Sequence, residues 1–443
     1  MRHRHLLLPL FIALAPGAAA QEVKAAPPLV HLTLDDALAR ARASSARLTS
    51  LSALSRAAGE GVKGARAGGR PELDLSAVYT RNSDVPELTI AFPGSAPRTL
   101  FPNLPNNWRT RASATMPLYT GGRVDGQIAN ATEGERAAVS DRATAENDLA
   151  LETHAAYVNV LFARENARVL NEAVASYEAH LKDARNRKDL GLVASNEVLS
   201  VSVERERAEL GRMQSENAAA IAAANLLRLV GLPEGTALEL EAPKETAFGA
   251  PDAFAGLVKG ALDRRPELDA LRARIRAADA TVRIARAAKQ PQAGLQAGYD
   301  YANPNPRILP QSADWKTSWS LGLNVSWKVL DGGRADASAA QAQALADALR
   351  SQLGDLEARI RLEVATRKLE LESALAMRSV TRRGIEAARD AVRVTRDRYR
   401  QGVSLSSDLL DAETRLLRAE LDATQTEAQI ELALANLRRA VTR

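Results

Sequence analysis

The stretch from Trp319 to Val329 alternates strictly between apolar and polar residues. Every second side chain is apolar, at Trp319, Leu321, Leu323, Val325, Trp327 and Val329. A period of two predicts a β-strand with one apolar and one polar face. The next residues, Asp331-Gly332-Gly333-Arg334, break this pattern and lead into a long alanine-rich stretch without proline. We therefore predict a strand at 318–329 that runs directly into a very long helix.

The same pattern occurs earlier in the chain. Trp108 stands where Trp319 stands, 211 residues before it (319 − 108), and Gly121-Gly122-Arg123 matches Gly332-Gly333-Arg334. The match continues at the same separation, pairing Gly191 with Gly402, Ser195 with Ser406 and Glu209 with Glu420. Duplication of this extent indicates two copies of one structural unit. We predict repeats at 21–231 and 252–443, joined by a linker at 232–251.

Each repeat is predicted to contain the same elements in the same order. Helices are expected at 32–67, 121–190 and 195–230, and again at 252–289 and 332–401, with a last helix after Gly402 that ends at Val441. Strands are expected at 72–81 and 108–118, and again at 292–301 and 318–329. Residues 82–106 contain five prolines and are predicted to form a loop. The two 70-residue runs without proline would each form a helix about 105 Å long.

The N-terminus and the composition narrow the possibilities. Residues 1–20 have the features of a secretory signal peptide: Arg2 and Arg4, an apolar run, and Ala18-Ala19-Ala20 before the predicted cleavage site. The apolar run is shorter than the roughly 20 residues that span a bilayer, and no later apolar stretch reaches that length. The chain has no cysteine, which excludes disulfides and thiolate metal sites. After removal of the signal, 57 basic residues (59 − 2) face 54 acidic ones without a concentrated basic patch, so nucleic acid is not a predicted partner.

The four strands have the length and chemistry of membrane-spanning strands. About ten residues suit a tilted transmembrane strand, and an apolar face opposite a polar face suits lipid on one side and water on the other. Eight of the eleven Trp and Tyr residues lie in or beside these strands, as in the aromatic belts of membrane interfaces. Four strands cannot close a barrel, and an open edge in lipid leaves backbone groups unsatisfied. Three chains would supply twelve strands, so we predict a homotrimer in contact with outer-membrane lipid; a small soluble sheet with an aromatic core is the alternative.

The duplicated order of helix, strand pair, long helix, turn and long helix resembles the TolC family of outer-membrane efflux proteins. The matching motifs are Arg265-Pro266-Glu267-Leu268, Gly332-Gly333-Arg334, and the segment from Arg398 to Glu420, which reads RYRQGVSLSSDLLDAETRLLRAE. The resemblance implies a mostly α fold with a transmembrane β-barrel, in which long helical hairpins form an α-helical barrel through the periplasm. It implies a location in the outer membrane of a Gram-negative bacterium, with no cofactor. The implied partners are a periplasmic adaptor (a membrane fusion protein) and an inner-membrane pump.

The turns between the long helices are the predicted functional site. Gly191 and Gly402 are expected to adopt the left-handed conformation that ends a helix. Ser195 and Ser406 are expected to cap the returning helices. The resemblance implies that these four positions form the surface on which the adaptor docks. The first turn departs from the second, because Lys188-Asp189 replaces Tyr399-Arg400.

The resemblance also implies a periplasmic gate formed by Asp408, Asp411, Glu197 and Tyr399. The two aspartates are three residues apart and share a helix face, so a trimer would repeat them as two rings of three carboxylates. Tyr399 and Glu197 match the family's gate-bonding positions. Ser404 stands where the best-known members have an arginine, so that restraining contact has no match here. The alternative for both aspartates is a structural role at a helix N-terminus.

Other chemistry is not indicated. His31, His154 and His180 are widely separated, which predicts solvated helix positions rather than a metal site. No Lys-Ser/Thr follows Gly332-Gly333, as a phosphate-binding loop would require, and no nucleophile has a plausible base. We predict a channel rather than an enzyme: a trimeric exit duct for efflux or type I secretion. A periplasmic coiled-coil adaptor would lack the four strands, and a passive porin would lack the long helices.

Overall fold

The computed structural model describes residues 29–91, 93–243 and 254–441. The predicted signal peptide at 1–20 and part of the predicted linker lie outside the described residues. In chain order the elements are β1 (Leu29–Leu32), α1 (Leu34–Ser44), α2 (Ala46–Ala67), β2 (Glu72–Arg81), β3 (Leu88–Ile90), β4 (Arg98–Phe101), β5 (Asn106–Tyr119), α3 (Arg123–Asp189), α4 (Ser195–Val230), β6 (Ala237–Leu240), α5 (Phe254–Arg264), α6 (Pro266–Ala287), β7 (Gln292–Asn303), β8 (Lys316–Ser326), α7 (Arg334–Arg400) and α8 (Ser406–Val441).

The four long strands form one antiparallel sheet in the order β2-β5-β7-β8. Its register aligns the alternating positions: Leu75 pairs with Ala112, Ala112 with Tyr299, and Tyr299 with Trp319. Because alternate residues of a strand point to opposite faces, this register places the apolar sets of all four strands on the same face. That face is open, with Leu75 79% and Trp319 72% exposed. Strands β2 and β8 are the two edges of the sheet.

Two details of the strand region differ from the prediction. The last strand ends at Ser326 instead of continuing to 329. Its continuation turns toward the helices, where the indole Nε1 of Trp327 donates to the Lys289 carbonyl at 3.0 Å. The predicted loop at 82–106 contains a short hairpin, in which β3 pairs with β4. Three- and four-residue strands among prolines are too short to give a periodic signal.

The long helices lie where the sequence pattern placed them. Helices α3 and α7 each have 67 residues, and α4 and α8 each have 36. Each long helix packs against the shorter one that follows it, α3 on α4 and α7 on α8. The two hairpins also touch each other, since α3 contacts α8. Among the described residues, no helix combines the length and apolar character needed to cross a membrane.

Each predicted helix at the start of a repeat is in fact two helices. The first breaks at Ser45, whose backbone is extended and whose hydroxyl accepts from the Leu48 amide at 3.2 Å. The second breaks before Pro266, because proline disfavours a helical conformation in the residue that precedes it. Helix α1 begins after Thr33, whose side chain forms a capping box with Asp36.

The predicted linker contains a strand. Residues Ala237–Leu240 form β6, which pairs in parallel with β1. The pair is anchored by Tyr157 of α3, which is completely buried. Its hydroxyl lies 2.8 Å from the Leu32 carbonyl and 2.7 Å from the Glu241 carbonyl. The segment between the repeats is therefore partly integrated into the first repeat rather than free of it.

Candidate functional site

The two turns between the long helices have the same pattern of backbone hydrogen bonds. We call residues 187–200 the first tip and residues 398–411 the second tip. In the first tip, the Gly191 amide donates to the Lys188 carbonyl and the Leu192 amide to the Arg187 carbonyl, both at 2.9 Å. In the second tip, the amides of Gly402 and Val403 make the matching bonds at 3.0 and 2.9 Å. Gly191 and Gly402 have φ angles of 73° and 76°, which confirms the predicted left-handed turns.

The predicted serine caps are wrong. Helix α4 is capped at Ala194, without a side-chain hydrogen bond, and Ser195 is already its first residue. Ser406 is the first residue of α8, and its hydroxyl bonds instead to the Nε2 atom of His180 at 3.0 Å. Each helix begins one residue earlier than a serine cap requires, so the hydroxyl lies beyond the position that can reach the free amides. Ser195 is exposed, whereas Ser406 is buried.

The two aspartates of the second tip lie on the exposed side of α8. Asp408 and Asp411 are exposed, while the residue that follows each of them, Leu409 and Ala412, is buried. One carboxylate oxygen of Asp408 accepts from the Leu405 amide at 3.1 Å and from the Ser404 hydroxyl at 2.9 Å. Asp408 is therefore the residue that caps α8. The tip brings the two acids onto one surface, as predicted, but one of them also has a structural role.

Tyr399 lies behind this surface, in the interior of the tip. Its side chain is buried, with the Arg187 guanidinium 4.3 Å above the ring centroid and the His180 ring edge-on at 5.5 Å. Burial raises the pKa of the Tyr399 phenol, while the Arg187 charge opposes that rise. Within the described part of the chain, its hydroxyl has no hydrogen-bond partner. The bond from Tyr399 to Glu197, a half-buried residue in the first turn of α4, is thus not formed in this structure.

A buried polar cluster joins the two hairpins next to Tyr399. His180 of α3 contacts Glu413 of α8, with 2.9 Å between Nδ1 and the carboxylate. Arg396 of α7 donates to the other carboxylate oxygen at 2.8 Å, and Ser176 of α3 donates to that oxygen at 3.1 Å. Together with Ser406, these residues form what we call the His180 cluster. Burial favours the neutral form of Glu413, but bonds from His180 and Arg396 outweigh it and lower the pKa of this carboxyl.

The sequence interpretation missed this cluster. His180 was predicted to be solvated, and it is buried, as is His154; only His31 is exposed. The useful signal was the departure from duplication: the positions 211 residues away from His180 and Glu413 are Ala391 and Ser202. No group of residues with metal-binding composition occurs among the residues that the structure describes.

Two copies of a long helical hairpin, carrying a sheet with an open apolar face, define the class of outer-membrane channel proteins. The chain belongs to the outer membrane efflux protein family, whose model matches residues 37–232 and 257–443. The resemblance inferred from the sequence is therefore confirmed. The protein is an outer-membrane transport protein of Gram-negative type and not an enzyme.

Individual relatives agree with this assignment. Outer membrane protein TolC of Vibrio cholerae is 23% identical over 447 residues, covering 98% of this chain and 95% of that protein. Outer membrane efflux protein BepC of Brucella suis is 23% identical and covers 90% of this chain and 83% of its own. Among solved structures, the outer-membrane channel OprN matches with a TM-score of 0.78 at 21% identity, over 92% of this chain and 89% of OprN. VceC of Vibrio cholerae matches with a TM-score of 0.78 at 19% identity, over 92% and 95%.

Proposed function

We propose that three copies of this chain assemble into an exit channel for efflux or type I secretion. Each chain contributes four strands to a twelve-stranded barrel and four long helices to a periplasmic tunnel. The observation that supports this assembly is the sheet itself. Its apolar face carries an exposed large side chain on each of the four strands, such as Leu75, Trp108, Tyr299 and Trp319. Its edge strands β2 and β8 each pair with only one other strand of the described chain. Lipid would cover the apolar face and neighbouring chains would pair with the edges. The alternative, a periplasmic adaptor protein, would not require a sheet with an exposed apolar face.

Adjacent residues of β8 provide a matched test of the barrel. Leu321 is on the apolar face and Ser320 on the opposite face, next to each other in the chain. An arginine facing lipid at mid-depth costs about 2–4 kcal/mol, whereas an arginine facing water does not. We expect Leu321→Arg to prevent recovery of the trimer from the outer membrane and Ser320→Arg to leave it intact. Native mass measurement in detergent should give three times the mature chain; a monomer or dimer with an intact barrel would disprove the assembly.

The gate is proposed at the second tip. Three copies of Asp408 and Asp411 would form two acidic rings around the narrow end of the tunnel, which favours cations and binds multivalent cations. Single-channel recordings in planar bilayers test this with Asp408→Asn plus Asp411→Asn. An asparagine oxygen can still accept from the Leu405 amide, so the cap is retained while the charge is lost. Asp422→Asn is the matched control, because Asp422 is an exposed aspartate of the same helix that lies outside the gate and the tips. Cation preference and multivalent block that survive the double change would refute the acidic gate.

The docking surface for the adaptor is proposed at the tips, with one revision. Gly191, Gly402 and Ser195 are exposed and can contact a partner, but the buried Ser406 cannot. Exposed apolar side chains surround the glycines: Leu190, Leu192, Val403 and Leu405. The chain has no cysteine, so single cysteines at these positions can be cross-linked specifically to a purified adaptor. Cross-links from residues 82–106 and none from the tips would refute docking at this end.

A further inference from the structure

The His180 cluster connects the two repeats at the end of the molecule where the gate is proposed. It includes side chains of α3, α7 and α8, and it bonds to Ser406, two residues before Asp408. Its two central side chains are almost inaccessible, with the side chain of His180 1% and that of Glu413 5% exposed. The His180–Ser406 bond ties the first turn of α8 to α3, and the His180–Glu413 contact ties the same helix to α3 seven residues later (413 − 406). The position of the second tip relative to the first thus depends on this cluster.

The charges around the cluster favour an ionised Glu413. A groove of about 480 Å³ beside it is lined by Asp183 from α3 and by Tyr399 and Arg400 from α7, in addition to the cluster residues. Arg396 is the cation that contacts the Glu413 carboxylate directly, at 2.8 Å. A buried carboxylate with a direct arginine partner and a histidine partner is strongly bound, and loss of either contact is costly because the charge stays buried.

A comparison of the two repeats shows that the residues needed for a second His180 cluster are absent at the equivalent positions. At the equivalent positions, Ala391 replaces His180 and Ser202 replaces Glu413, although Arg185 and Ser195 match Arg396 and Ser406. The surface of α7 that corresponds to the His180 surface of α3 therefore lacks the imidazole, and α4 lacks the carboxylate. The cluster can therefore form where α8 packs on α3. An equivalent cluster cannot form where α4 would pack on α7.

We propose that the His180 cluster is a fastening that holds the second tip, with Asp408 and Asp411, in its closed position against α3. The proposal rests on the proposed role of the tips as a gate. His180, Glu413, Arg396 and Ser406 act as positioning residues: they do not contact the transported substrate. Any opening movement that separates the start of α8 from α3 would have to break these bonds.

Two pairs of matched variants test the fastening. Ser406→Ala removes one bond of the cluster, and Ser202→Ala removes a hydroxyl from α4 at the counterpart of Glu413, outside the tips. Glu413→Ala removes the central carboxylate, and Glu420→Ala removes one that bonds to Arg389 within the second hairpin alone, at 3.0 Å. In planar bilayers we expect the ratio of open to closed channels to rise about fivefold for Ser406→Ala and tenfold or more for Glu413→Ala. The two control variants should behave like the unmodified channel.

Additional measurements separate a fastening from simple structural support. Glu413→Gln retains oxygen for Arg396 and should restore part of the closed state. His180→Leu combined with Glu413→Ala should raise the ratio of open to closed channels by less than the product of the two single effects, because each single variant already removes the His180–Glu413 contact. A trimer that melts at a lower temperature but conducts normally at rest would overturn the proposal, as would normal resting conductance in both Ser406→Ala and Glu413→Ala. An unmodified protein that forms neither trimers nor channels would instead refute the proposed function.

Discussion

Replacing Arg265 with methionine probes the contact that fastens the C-terminal end of α8 to the start of α6. Arg265 belongs to the Arg265-Pro266-Glu267-Leu268 motif and is only 3% exposed. Its Nε atom donates to the Ala440 carbonyl at 2.8 Å, and its Nη1 atom lies 2.6 Å from Glu363 of α7. The first repeat makes the equivalent contact differently, since the Ser44 hydroxyl donates to the carbonyl of Leu229, the counterpart of Ala440, at 3.1 Å.

The expected loss follows from these contacts. The charged bond to the Ala440 carbonyl contributes about 1.5–3 kcal/mol. The pair with Glu363 adds at most about 1 kcal/mol, because this carboxylate is 38% exposed and therefore screened by water. Glu267 keeps a second partner, Arg439, at 3.2 Å. Methionine retains most of the packing of the arginine stem. The free energy of local opening at the end of α8 should thus fall by about 2–4 kcal/mol.

Hydrogen exchange measured by mass spectrometry gives this free energy directly. Exchange of the last α8 amides should accelerate by between about one and three powers of ten in Arg265→Met. Arg272→Met is the control: Arg272 is on the same helix α6, but it is 36% exposed and its carboxylate partners lie at 3.5 and 3.6 Å. Equal exchange rates of the α8 amides in the two variants would refute the reasoning. They would show that neither the burial of Arg265 nor its shorter bonds determines the loss of free energy.

Two further predictions concern the stability of the helical part. Burial, and secondarily the Arg438 charge, lower the pKa of His154 to about 4 from 6.5, so the unfolded chain binds a proton that the folded chain does not. Stability should therefore decline as the pH falls from 6.5 and reach a loss of about 3 kcal/mol below pH 4; thermal melting of the trimer between pH 4 and 7 would show this, and an unchanged slope in His154→Asn would contradict it. At Gly231, with a φ angle of 67°, an added Cβ would lie 2.5 Å from the Ser44 Cβ, whereas at Gly402 it would meet nothing within 4 Å. Gly231→Ala should cost about 2–4 kcal/mol and Gly402→Ala only about 1 kcal/mol in the same melting experiment; similar costs would show that backbone strain alone matters.

The sequence by itself determined the features that depend on neighbouring residues. The period of two from Trp319 to Val325, the proline-free 67-residue helices and the turns at Gly191 and Gly402 all follow from local preferences of the backbone. Because both repeats share one pattern, each helix and strand is predicted twice, and a weak pattern in one repeat is supported by the other. The family resemblance also rested on the order of these local elements.

Only the tertiary structure decided the features that depend on distant residues. The pairing of β1 with β6 joins Leu29 to Ala237, and four-residue strands carry no pattern that could reveal such a partner. The burial of His180 and Glu413 results from the packing of α3 on α8, which are separated by more than 200 residues in the chain (413 − 180 = 233). The residues around Ser406 predict a helix start and therefore a serine cap. The Ser406 hydroxyl instead forms a hydrogen bond with His180 of the other repeat. Local sequence specifies where helices begin and end, whereas the partner of a buried polar side chain is decided by which helices pack together.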